Sequence, residues 1–112
     1  MTTLFEKIIN GELPSEKVYE DEKFVVIKDK YPKAPVHLLI IPRKVIPGIQ
    51  AVREEDMGLM GDVCRIAQKL AIEFDVAEEG YRLLVNQGPD AGQTIFHLHF
   101  HLLGGRPLGE MG

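Results

Sequence analysis

The chain has 112 residues, with 13 Lys and Arg against 17 Asp and Glu for a formal net charge of −4, and 45% of it is hydrophobic. That is the length of a single domain, residues 1–112, with enough apolar side chains for a core; the lone Cys64 excludes an internal disulfide, and no apolar run reaches the roughly 18 residues of a membrane span. An acidic balance without a dense Lys/Arg cluster argues against a nucleic acid polymer, which is held by neutralising many phosphates, yet leaves a single nucleotide open.

Thr3 and Glu6 have the spacing of a capping box, and the apolar stripe of Phe5, Ile8 and Ile9 predicts a short helix from Leu4 to Asn10, stopped by Gly11 and Pro14. Val18-Tyr19 and Phe24 to Ile27 read as two strands of a hairpin about Glu20-Asp21-Glu22. A proline-marked loop from Asp29 to Pro35 precedes a buried strand, Val36 to Ile41, stopped by Pro42. Between Arg53 and Phe74 apolar residues recur at helical spacing, and Met57, Met60, Val63, Cys64, Ala67, Leu70, Ala71 and Phe74 define a long helix. Their arc of about 160° exceeds the roughly 100° that one sheet covers, so the surplus edge predicts a homodimer interface, with Cys64 read as core. Tyr81 to Gln87 forms a fourth strand, Gly88 to Gly92 a tight turn, and Thr94 to Leu103 a fifth strand. The expected fold class is α+β: a five-stranded antiparallel sheet with one short N-terminal and one long helix. The single cysteine, together with an N-terminus lacking a basic segment followed by an apolar run, predicts a cytoplasmic protein.

The most explicit chemistry lies in His97-Leu98-His99-Phe100-His101-Leu102-Leu103. On a strand the three histidines share one face and the apolar residues the other, and same-face neighbours about 6.7 Å apart crowd the imidazoles and favour their neutral forms. Neutral imidazole is a nucleophile, a base or a metal ligand. Zinc could take His99 with a neighbour, but His97 and His101 would stand about 13 Å apart at Cα, so His37 would have to close the site. Catalysis divides the labour differently: one ring attacks, another orients it, and a third supplies a proton. The turn Gly92-Gln93-Thr94, with backbone N–H groups and a hydroxyl beside the histidines, makes phosphorus a natural electrophile.

The stretch His97 to Leu103 resembles the His-φ-His-φ-His-φ-φ signature, φ being apolar, of the histidine triad (HIT) proteins, and Gly104-Gly105-Arg106 resembles their nucleotide-binding HINT-type branch. The resemblance extends to Leu4 through Ile9, to Asp29–Pro35 with His37 to Pro42, and to Tyr81 through Asn86 with Gly92-Gln93, covering essentially the whole chain. It implies hydrolysis of the P–N bond of adenosine 5′-monophosphoramidates, a purine nucleoside phosphoramidase activity, through a nucleotidyl-histidine on His99. It further implies that His101 meets the phosphate and leaving group, that the His97 backbone carbonyl orients His99, and that His37 packs behind. Asp29 then takes the ribose hydroxyls, Leu4, Phe5, Ile8 and Ile27 the base, and Asn86, Gly92, Gln93 and Thr94 the phosphate and leaving group. No cofactor is implied, and zinc stays the lesser alternative. A third triad member that is histidine and not glutamine favours hydrolysis over nucleotidyl transfer, with dinucleoside polyphosphate hydrolysis or a binding module as the competing functions. Lys30 stands where many relatives place an aliphatic residue against the base, and the chain has no tryptophan for the tail contact some relatives make.

Overall fold

The computed structural model describes residues 2–111. Helix α1, Leu4–Ile9, begins at an intact capping box in which the Thr3 hydroxyl accepts from Glu6 N–H and the Glu6 carboxylate accepts from Thr3 N–H. Strands β1 (Lys17–Glu20) and β2 (Phe24–Lys28) form the expected hairpin, its turn tied by Asp21 Oδ1, which accepts from the N–H groups of Lys23 and Phe24. Strand β3 (Val36–Pro42), helix α2 (Gly58–Glu73), β4 (Tyr81–Leu84) and β5 (Phe100–Gly104) complete the fold. The five strands make one antiparallel sheet in the order β1-β2-β3-β5-β4.

Alternation sorts the central strands onto two faces. Phe24, Val26, Leu38, Ile40, Phe100 and Leu102 meet Val63, Ile66, Ala67, Leu70 and Ala71 of α2 in the main core. Val25, Ile27, Leu39 and Ile41 face the other way and bury Phe5 and Ile8 of α1. Because α1 is only six residues long, it leaves the β5 end of that second face for polar side chains.

Several predicted boundaries move. The fifth strand begins at Phe100 instead of Thr94, because its ladder with β3 ends at the Ile40–Phe100 pair. Past that point β3 reaches Pro42, which has no N–H to give and whose carbonyl accepts from the His97 ring. The fourth strand stops at Leu84, opposite His101, for want of a longer partner. The long helix starts at Gly58 and not Arg53: Glu54–Asp56 close instead into a 3₁₀ turn, which apolar periodicity does not distinguish from α. The short helix ends at Ile9, with Asn10 as its cap.

Cys64 is exposed and not core. The buried stripe of α2 is centred on Ile66, Ala67 and Leu70, which swings Cys64 to its margin beside exposed Met57 and Ile72, while Met60 and Phe74 are half-buried. Phe96, which alternation along a strand begun at Thr94 would put on the apolar face with Leu98 and Phe100, is 53% exposed because it precedes β5.

Leu102 is fully buried at the junction of sheet and α2. Leu102→Ala should lower the unfolding free energy by about 2–5 kcal/mol in urea denaturation. A Cβ added at Gly104 would stand 3.0 Å from Val76 Cβ and Cγ1. Gly104→Ala should therefore cost about 1–3 kcal/mol by overpacking, read as a lower midpoint at unchanged slope.

Candidate active site

The segment leading into β5 builds the site. Leu98 N–H donates to Ile46 C=O, anchoring residues that lie outside the ladder, and the fully buried His97 ring is held at both ends. Its Nε2 is 2.8 Å from Pro42 C=O and its Nδ1 is 3.0 Å from the Thr3 hydroxyl. A carbonyl only accepts, so Nε2 carries a hydrogen, and in that tautomer Nδ1 is the acceptor for Thr3 O–H. The carbonyl of His97 points at its neighbour, and His99 Nδ1–H donates to it at 2.7 Å. That bond fixes the His99 tautomer and leaves Nε2 with a free lone pair. Phe5 packs edge-on against the His99 ring, centroids 4.8 Å apart.

A second chain of hydrogen bonds fixes His101. Lys33 N–H donates to His37 Nδ1 at 3.0 Å, so neutral His37 carries its hydrogen on Nε2. His37 Nε2 is 3.0 Å from His101 Nδ1, which therefore accepts, and the proton of neutral His101 sits on Nε2. The rings of His99 and His101 are 5.2 Å apart. Nucleophile-type and donor-type nitrogens thus stand on adjacent rings without either ring being charged.

Burial pushes the His101 imidazole down to about 4, helped by His99 and His37 and opposed by Asp29. Burial also lowers His99, against the raising effect of its bond to the His97 carbonyl. His37 is lowered by burial too, Asp29 opposing. All three are neutral at pH 7, so the 3.4 Å approach of Asp29 Oδ2 to His37 Nε2 is not an ion pair there. The crowded imidazoles are therefore His37, His99 and His101, and not the three consecutive ones expected from alternation; His97 is withdrawn beneath α1.

The remaining candidates divide. Asp29 follows β2; its N–H donates to His37 C=O and its Oδ1 accepts from Tyr31 N–H, which turns Oδ2 toward the histidines. Phe5, Ile8 and Ile27 are buried in the second core, whereas Leu4 is 46% exposed. Asn86 is half-buried two residues beyond Leu84, the partner of His101. Gly92, at φ +85°, and Thr94 are exposed in the loop before the histidines. Gln93 is buried and its side chain is committed: Nε2 donates to Pro47 and Ile95 C=O, and Oε1 accepts from Gly88 N–H. It shapes the loop and has no amide hydrogen left for a phosphate.

Donor atoms of Asp29, His37 and His101 lie within 4.8 Å of one another, the one such metal-capable group among the described residues. It differs from the zinc set expected on the triad strand, since neither His99 nor His97 belongs to it. Sequence reasoning did not anticipate Thr3, the Lys33 N–H or the Pro42 carbonyl as partners of the histidines. Of these only Thr3 had a sequence signal, and the capping box accounted for it locally. The tail is tied down by Arg106 to Lys33 C=O and by Arg82 to Gly109 C=O.

Comparison with known proteins places this geometry in context. A family model described as HIT domain matches residues 10–108. A HIT-like protein of Chlamydia pneumoniae is 54% identical over 97% of this chain and 98% of its own. The purine nucleoside phosphoramidase of Escherichia coli K12 is 45% identical over 97% of this chain and 92% of its own. A solved HIT family hydrolase from Clostridium thermocellum superposes with a TM-score of 0.94 at 47% identity, covering 98% of this chain and 96% of that one. By its fold, its histidine motif and these similarities, the chain belongs to the HIT family and is a HIT family hydrolase.

Proposed function

We propose that the chain is a purine nucleoside phosphoramidase, hydrolysing the P–N bond of adenosine 5′-monophosphoramidates. The observation that carries this reading is the 2.7 Å hydrogen bond from His99 Nδ1–H to the His97 carbonyl, which leaves Nε2 unprotonated. The 45% identity to the E. coli phosphoramidase supports the choice of substrate.

In the first step His99 Nε2 attacks the α-phosphorus, the P–N bond to the leaving amine breaks, and the amine departs with a proton from His101 Nε2. The His99 ring, now bonded at Nε2 to phosphorus and still bearing Nδ1–H, gains positive charge that the His97 carbonyl stabilises. In the second step water attacks phosphorus, gives a proton to His101, and breaks the bond to His99, releasing AMP. His101 is neutral in the free protein. Substrate phosphate placed beside it favours the imidazolium; His101 Nδ1 then gives up accepting from His37 Nε2–H, which has Asp29 Oδ2 3.4 Å away as its acceptor, and the acid is charged when the anion is bound. Asp29 Oδ2 is the acceptor for ribose hydroxyls, Phe5, Ile8 and Ile27 support the base, and exposed Gly92 and Thr94 with Asn86 flank the phosphate. No cofactor enters this scheme. The exposed edge of α2 at Met57, Cys64 and Ile72 is the surface for a homodimer.

Adenosine 5′-phosphoramidate should be turned over by wild type, and His99→Ala should lose about 10³-fold or more of the AMP release. Equal turnover by both sinks the mechanism. His101→Ala should slow alkylamine leaving groups about 10²-fold more than good ones, as a missing general acid does. The acid limb of kcat/KM, which reports the free enzyme, should lie below pH 6.5: activity depends on unprotonated His99, whose affinity for a proton is lowered, and is lost only as pH falls through that depressed value. A limb at or above 6.5 contradicts the buried, neutral site. Turnover should survive EDTA; loss on chelation with recovery on adding zinc would instead assign the Asp29, His37 and His101 group to a catalytic ion. Light scattering after size exclusion should give twice the chain mass at micromolar concentration.

A further inference from the structure

We infer that Thr3 is a positioning residue for the nucleophile, acting through the buried His97 ring; the inference rests on the reading of His99 as that nucleophile. The Thr3 hydroxyl has one hydrogen and two lone pairs, and both functions are in use. It accepts from Glu6 N–H, which caps α1, and its hydrogen faces His97 Nδ1 at 3.0 Å, a residue 94 positions away. At the opposite end of the same ring Nε2–H holds the Pro42 carbonyl. A ring bonded at both nitrogens does not turn about its side-chain torsions without breaking one bond, so the His97 backbone is held with it. The part of that backbone that matters is the carbonyl, which receives His99 Nδ1–H.

The need for such a clamp follows from the ladder. His97 and His99 precede the first paired residue of β5, so no strand neighbour sets the direction of the His97 carbonyl. The same helix that supplies Thr3 supplies Phe5, in edge contact with both rings, at 6.0 Å from His97 and 4.8 Å from His99. Helix capping and nucleophile alignment therefore share one hydroxyl.

Capping and alignment are separable because they use opposite ends of that O–H. Thr3→Asp keeps an oxygen to cap Glu6 N–H but has no hydrogen for His97 Nδ1; Thr3→Asn keeps the capping oxygen and offers an amide hydrogen; Thr3→Ser keeps both. Nitrogen-15 spectra of the imidazoles in the ligand-free protein should show His97 Nδ1 as a bare, pyridine-like nitrogen in wild type, Thr3→Ser and Thr3→Asn. In Thr3→Asp it should become protonated, and His99 should lose its single-tautomer signature. With adenosine 5′-phosphoramidate, Thr3→Asp should lower kcat about tenfold or more with KM within about twofold and displace the acid limb, while Thr3→Asn and Thr3→Ser stay within about twofold of wild type. Equal spectra and rates for the Asp and Asn variants, or a protonated Nδ1 in wild type, would overturn the inference and reduce Thr3 to a helix cap. Absence of turnover in wild type would instead overturn the functional reading, and the imidazole spectra, which need no substrate, would then decide the role of Thr3 alone.

Discussion

The site depends on where the β3–β5 ladder stops. Pro42 cannot donate a hydrogen bond, and its carbonyl is taken by the His97 ring, so the chain from Ile95 to His99 runs beside the sheet without pairing to it. A paired His97 would spend its carbonyl on a neighbouring strand. Unpaired, it spends that carbonyl on His99 Nδ1, and the attacking nitrogen is left bare. The end of the ladder thus leaves the segment that carries His97 and His99 free to turn that carbonyl onto a ring.

Two short relays then do the work of charge without using any. Backbone groups stand at their ends, Pro42 C=O and Lys33 N–H, and a backbone group has a fixed role as acceptor or donor. From Thr3 the hydrogens run through His97 to Pro42; from Lys33 they run through His37 to His101. Burial keeps His37, His99 and His101 neutral in the free protein, and the Lys33 relay requires this of His37 and His101, since a second hydrogen on either ring would sit where an acceptor is needed. The main core on the far side of the sheet, with Leu98, Leu102 and Phe100 packed against α2, supplies the rigidity that holds rings at hydrogen-bond distances.

Much of this was legible in the residues. Period-two alternation from Leu98 to Leu102 and the helical stripe of α2 located the core, and the Thr3–Glu6 spacing located α1, because each is a local pattern with one geometric reading. Errors cluster where local pattern is silent. Strand ends were overrun because pairing partners set them, Cys64 was placed in the core because a wide stripe does not reveal its own centre, and Gln93 was assigned to phosphate although the loop consumes its amide.

The sequence by itself determined the fold class, the family resemblance and the identity of the reactive strand, since these rest on neighbours within a few residues. Only the tertiary structure decided that His97 is a buried clamp, that His37 and not His97 is the ring in contact with His101, and that Asp29 turns toward them. Those contacts join residues 94 and 64 positions apart. They follow from the order in which strands pair and from where a ladder ends, which no periodicity along the chain encodes.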